Sequence, residues 1–142
     1  MAKRQIILMP LLVGLIMIVF FSFKNPDLKC NLVKNGRFHF YQNNNQYHSV
    51  IIRKDSLQTE VNLITGDSTT WKIVWISDCQ FTCSFIWSSK KKSQDELDFY
   101  KKSIITFNIR NIREKYYTFD ALFSSDNFTK NFFSDTMWLQ PK

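Results

Sequence analysis

The sequence predicts an all-β fold. About seven or eight strands form an antiparallel meander that closes into a small barrel or a strongly curved sheet, preceded by one N-terminal transmembrane helix. Three observations carry this expectation. Apolar residues after position 36 recur with period two, the spacing of a strand with one face buried. The connections between these runs are mostly short and leave no room for helical crossovers, so sequential neighbours pair antiparallel. A charge-free apolar run occupies residues 6 to 23.

That first run, "IILMPLLVGLIMIVFFSF", follows Lys3 and Arg4. As a helix it spans about 27 Å, close to the hydrocarbon thickness of a bilayer. Hydrophobic regions of signal peptides are shorter, about 7–15 residues, and the exit "VFFSFKNPD" offers no small-x-small cleavage site. An uncleaved anchor is therefore expected over a cleaved signal peptide. Cys30 follows "DLK", which is not the apolar and small context of a lipid-modified cysteine. Lys3 and Arg4 favour an N-in orientation, although Lys24 and Lys29 reduce the asymmetry. The expected organisation is an anchor over 1–23, a linker and domain start over 24–35, and one extracytoplasmic β domain over 36–142, in the periplasm or extracellular space. Membrane lipid is the partner this implies.

Within the domain, "GRFHFY" sets Phe38 and Phe40 on one face, with Arg37, His39 and Tyr41 on the other. "NNNQ" at 43–46 is a polar loop. "YHSVIIR" and "LQTEVNLI" are strands joined by "KDS", and "TGDS" at 65–68 is a turn. "TTWKIVWI" alternates Trp71, Ile73 and Trp75. The clearest alternation runs through Cys79, Phe81, Cys83, Phe85 and Trp87. "SSKKKSQDELDFYKK" is a charged connection with one helical turn in "DELDFY". "SIITFNIRNIR" (with Ile105, Phe107 and Ile109 on one face) and "YYTFDALF" follow, and "FFSDTMWLQ" closes the structure as a short last strand.

Cysteines four apart on a strand lie about 13 Å from each other, beyond the roughly 7 Å that a disulfide tolerates. Cys79 and Cys83 therefore neither pair nor share a metal, and His39 and His48 lie in another part of the chain. An oxidising compartment favours one bridge among the three cysteines. Cys30, at the start of the domain, is expected to be tied to a later strand. The expected pair is Cys30–Cys79, with Cys83 a buried thiol beside Phe81, Phe85 and Trp87. The alternative is three free thiols in the core.

Cys30, "GRF" at 36–38, Arg53 in "IIR", "QTE" at 58–60, "WKIVW" and "DCQF" at 78–81 form an ordered series. It resembles a family of small exported or membrane-anchored β proteins of Bacteroidetes-type bacteria. The likeness covers about residues 30 to 87; Phe81 stands where that pattern often has Tyr. The resemblance implies a small β domain and the same cysteine pairing, and it implies no established activity.

No glycine-rich phosphate loop, nucleophile elbow or metalloprotease motif occurs, and no carboxylates pair for acid–base work. An enzyme is not expected, nor a cofactor or metal. The net charge of +7 is scattered and interrupted by acids rather than gathered in one patch, so nucleic acid is not an expected partner. Arg53, Gln58 and Glu60 flank a tight connection and are candidates for a polar anchor inside the barrel that holds an acidic ligand group; the plainer reading is a cross-strand ion pair that fixes register. Phe38, Phe40, Trp71, Trp75, Phe85 and Phe107 are candidates for a pocket wall, with core packing the default. Two functions follow: an interaction module that binds another envelope protein, or a lipocalin-like carrier of a small apolar or amphipathic ligand.

Overall fold

The computed structural model describes residues 29–42, 47–125 and 128–142. The apolar run 6–23, residues 24–28, the "NNNQ" loop and part of the β7–β8 connection lie outside the described residues. Among the described residues no helix is long and apolar enough to cross a membrane.

The described chain is a closed, antiparallel, up-and-down barrel in which every strand pairs with its sequence neighbours. A 3-10 turn (Cys30–Val33) precedes β1 (Gly36–Gln42), β2 (Tyr47–Lys54), β3 (Leu57–Asn62), β4 (Ser68–Ser77) and β5 (Gln80–Ser88). Helix α1 (Gln94–Lys102) then leads to β6 (Ile104–Ile112), β7 (Tyr116–Ser125) and β8 (Phe128–Trp138). The β2–β3, β4–β5 and β6–β7 turns and the 3-10 turn share one end, the base. The β3–β4 turn and α1 occupy the other end, the mouth.

Closure is uneven. β8 pairs with β7 from Tyr116↔Trp138 to Ser125↔Phe128, but with β1 only at His39↔Trp138 and Phe40↔Met137. Toward the mouth, the β1–β8 seam therefore lacks ladder hydrogen bonds among the described residues, and Phe133 is correspondingly exposed.

The core lies toward the base. Period-two faces bring Phe38, Ile51, Ile73, Phe81, Cys83, Ile109, Tyr117 and Phe119 together with Cys30 and Val33 of the 3-10 turn. Phe81 stacks on Phe107 at 4.9 Å and meets Trp75 at 4.7 Å, while Phe38 meets Tyr117 edge-on at 5.8 Å. Such offset and edge-on pairs add to simple area burial.

Cys30 and Cys79 form a disulfide that ties the 3-10 turn to the β4–β5 turn. Cys83 is a free thiol buried to 1% exposure. Lys34 pairs with Asp78 at 3.0 Å, and the Asp55 backbone N–H donates to Asn35 Oδ1 at 2.8 Å. The turn thus closes the base like a plug.

Gly36 explains the "GRF" element. Its φ of +140° is one that side chains rarely adopt, and a Cβ there would meet the Phe38 ring at 3.2 Å. The Phe38 ring folds back against the backbone where the chain turns from plug to strand. Gly36→Ala is expected to cost about 1–3 kcal/mol of stability in urea unfolding, the usual scale of such backbone strain.

Three details differ from the sequence reading, the first being the last strand, which is not short: β8 spans the 11 residues Phe128–Trp138. Trp87 does not join the core: it is 54% exposed. The β4–β5 register shifts between Thr70 and Trp71, so Trp71 faces Phe85 while Thr70 faces Trp87. Ile86 is the extra residue of a bulge, and a bulge flips the alternation beyond it. The helical segment also exceeds one turn, spanning Gln94–Lys102. Ser93 and Glu96 form a reciprocal capping box, with acids in the first turn and lysines in the last.

Candidate functional site

The polar residues singled out in the sequence separate into two places. Arg53 and Gln58 face each other across β2 and β3 at the base. Arg53 Nε donates to Gln58 Oε1 at 2.7 Å, and an Arg53 terminal nitrogen donates to the Val33 carbonyl at 3.1 Å. The guanidinium carbon lies 4.6 Å from the Phe81 ring centre, 5.0 Å from Phe38 and 5.7 Å from Tyr117. Arg53 is only 3% exposed, and no carboxylate pairs with it among the described residues. Aromatic faces, an amide oxygen and a carbonyl take the place of a counter-ion. This cluster fastens the plug and is closed to solvent.

Two neighbouring groups feel the same burial. It pushes the Tyr117 phenol up, against the opposing effect of the Arg53 charge. It pushes the Cys83 thiol up to about 12, with Arg53 again opposing. A thiol that stays protonated and enclosed is inert. Cys83 is therefore expected to resist a thiol-specific disulfide reagent in the native chain and to react fully on unfolding in urea. Prompt native-state labelling would show the base to be open.

Glu60 lies two residues further along β3, on the inward face but toward the mouth. It accepts a hydrogen bond from the Tyr47 hydroxyl at 2.8 Å. No lysine or arginine pairs with it among the described residues. Burial, reinforced by the Glu60 charge, pushes the Tyr47 phenol up to about 12.

Around this pair is a cavity of about 310 Å³. Tyr47, Glu60, Asn62, Thr69 and Trp71 line it from β2, β3 and β4. Thr65 and Asp67 contribute from the β3–β4 turn, Ser88 from the end of β5, Lys90 and Lys92 from the connection to α1, and Tyr100 from α1 itself. The helix leans over the opening because Tyr100 packs against Trp71 at 6.2 Å and Phe85 at 5.5 Å. Lys92 Nζ sits 4.3 Å from the centre of the Tyr100 ring. Asn62 Oδ1 shapes the neighbouring turn by accepting from the Ile64 and Thr65 backbone N–H groups.

Of the six aromatics proposed as a pocket wall, Trp71 lines this cavity. Phe38 belongs to the base cluster, and Trp75, Phe40, Phe85 and Phe107 pack against the core. His39 lies on the outer wall beside His48, with ring nitrogens 3.2 Å apart.

Period two marks Asn62 as sharing Glu60's face. It gives no sign of Lys90, Lys92 or Tyr100, which reach the mouth only because the β5–β6 connection folds back over it.

For Tyr47 and Cys83 alike, the folded chain holds a proton more tightly than the unfolded chain does. The unfolded chain releases it first as pH rises. Stability is therefore full below about pH 9 and falls between about 9 and 12, as the thiol and then the phenol titrate in the unfolded chain. Urea midpoints measured across that range check the sign; a rise with pH would contradict it.

Comparison of the chain with protein-family models, curated proteins and solved structures finds no match.

Proposed function

We propose that this chain is a membrane-tethered, extracytoplasmic barrel that binds a small molecule in its mouth, a compact carrier of lipocalin-like form. One observation carries the reading: a cavity of about 310 Å³ opens above a base sealed by the plug, the disulfide and the Arg53 cluster. Small-molecule sites are concave, about 300–1,000 Å³, with a few polar groups set among apolar and aromatic walls. This cavity is at the lower bound, which suits a compact ligand.

The anchor expected from the sequence would suit the same geometry. Lys29 adjoins the base, so an anchor at 6–23 would hold the base toward the bilayer and leave the mouth facing away. Lys29, Lys34, Lys54, Arg113 and Lys115 at that end suit anionic headgroups. A reporter active only outside the cytoplasm, fused after residue 142, is expected to be active.

The binding test is a two-dimensional NMR titration of the chain with a set of small polar and amphipathic molecules. Shifts centred on the Trp71 indole N–H, Tyr47, Ser88 and Tyr100 are expected. The interaction-module reading is favoured by a different feature, the exposed Val74, Ile76, Ile86 and Trp87 on the outer wall of β4 and β5. Shifts confined to that wall, on adding an envelope protein, would replace the carrier reading.

A further inference from the structure

We infer that the mouth selects a small zwitterion, with its ammonium group at Glu60 beside Tyr47 and Trp71 and its anionic group at Lys90 and Lys92. The inference rests on the mouth being a small-molecule site and goes on to name the ligand's chemistry.

Charge balance is the first argument. The cavity is lined by two carboxylates, Glu60 and Asp67, and two ammonium groups, Lys90 and Lys92. Its formal charge cancels, so it is tuned neither to a simple cation nor to a simple anion. Glu60 stands apart from the other three charged groups, because Asp67 shares the rim with the lysines where Ser68 and Ser89 hydrogen-bond beside Lys90. Glu60 is on the inward face of β3, opposite Thr69, whereas the lysines belong to the connection that overhangs the mouth. A ligand that meets both must carry positive charge at one end and negative charge at the other.

Glu60 is the second argument. One carboxylate oxygen accepts from Tyr47, and no hydrogen bond to the other is made among the described residues. A half-buried carboxylate with one neutral donor gains from a cation brought to it. Asp67 also accepts one hydroxyl, from Thr65 at 2.9 Å, but that contact is solvent-exposed on the β3–β4 turn, whereas the Tyr47–Glu60 contact is partly buried.

The aromatic wall is the third. Tyr47, hydrogen-bonded to Glu60, and Trp71 line the same cavity, and rings of this kind attract ammonium groups. Tyr100 already does so with Lys92, at 4.3 Å. Asn62, Thr69 and Ser88 complete a lining too polar for a purely apolar ligand.

The test uses the full chain in a maltoside detergent. The probes are phosphocholine, choline, inorganic phosphate and monomeric dihexanoyl phosphatidylcholine, read by calorimetry and by the Trp71 indole signal. Phosphocholine is expected to bind at least about tenfold more tightly than choline or phosphate, since only it satisfies both ends. Glu60→Gln is expected to weaken phosphocholine and choline about tenfold and leave phosphate unchanged. Lys90→Ala with Lys92→Ala is expected to do the reverse. An unchanged thermal midpoint establishes that each variant is folded. Tighter binding of the short-chain lipid identifies a headgroup as the natural source; equal affinity identifies a free zwitterion.

Equal affinity for choline and phosphocholine, or unchanged phosphocholine binding by Glu60→Gln, overturns the inference. If neither zwitterion binds but neutral octyl glucoside moves the Trp71 signal, the mouth remains a small-molecule site and the zwitterion is rejected. If none of these probes moves it, both readings are rejected.

Discussion

Replacing Arg53 by alanine is expected to lower the unfolding free energy by about 2–4 kcal/mol in urea under non-reducing conditions. The substitution leaves two buried acceptors, Gln58 Oε1 and the Val33 carbonyl, without donors, at about 1–3 kcal/mol each where no water reaches them. It also opens a cavity among Phe38, Phe81 and Tyr117, whose lining relaxes only in part. Against these losses, the cost of keeping a cation out of water disappears, which holds the net effect below the sum.

Arg53→Met separates the contributions. It keeps most of the volume and removes the charge and donors, so a smaller loss of about 1–2 kcal/mol is expected. Arg53→Lys keeps the charge but not the planar fork that reaches Gln58 and Val33 at once, and about 2 kcal/mol is expected to be lost. A Met variant more stable than the native chain would show that desolvation of the guanidinium outweighs its π and hydrogen-bond partners. Arg53 would then fix the position of the plug without stabilising the fold.

Much of the barrel was legible because its physics is local. Phe38 and Phe40, or Ile105, Phe107 and Ile109, alternate because a strand has two faces, and short turns force antiparallel neighbours. Strand rise alone separated Cys79 from Cys83, and the observed bridge runs from Cys30 to Cys79. The facing of Arg53 and Gln58 followed from one tight hairpin.

What escaped depends on departures from periodicity or on distant segments. Trp87 turned outward because one extra residue at Ile86 reversed the pattern. Glu60 was grouped with Arg53 by sequence, yet it lies two residues further toward the mouth, where Tyr47 becomes its partner. Lys90 and Lys92 read as a solvated charge run. Their place in the mouth is set by α1 docking through Tyr100, a contact that hydrophobic spacing cannot reveal because it joins a helix to a barrel rim. The site is thus less visible than the fold: its walls come from four strands, one turn, one connection and one helix.

Removing the Cys30–Cys79 bridge is expected to cost about 4 kcal/mol, as the entropy of closing a loop with a sequence separation of 49. Cys30→Ala with Cys79→Ala is the direct variant. Cys83→Ala is its control, which removes a buried thiol without touching the bridge and is expected to cost far less. The bridge and Arg53 act on one element, since the bridge holds Cys30 at the start of the 3-10 turn and Arg53 holds Val33 at its end. Once the bridge is gone, the turn has more freedom to leave the base, and Arg53 then has less native contact to lose. The triple variant is therefore expected to fall short of additivity by about 0.5–3 kcal/mol, the coupling seen between groups that share a structural element. Additivity within about 0.5 kcal/mol would mean that Arg53 stabilises the barrel wall independently of the plug. The mouth provides a separate readout. It is built at the other end of the strands, so ligand binding at Glu60 is expected to survive reduction of the bridge at temperatures where the barrel remains folded. Loss of binding together with release of the plug would instead make the base part of the mouth's support, through the shared strands β2 and β3.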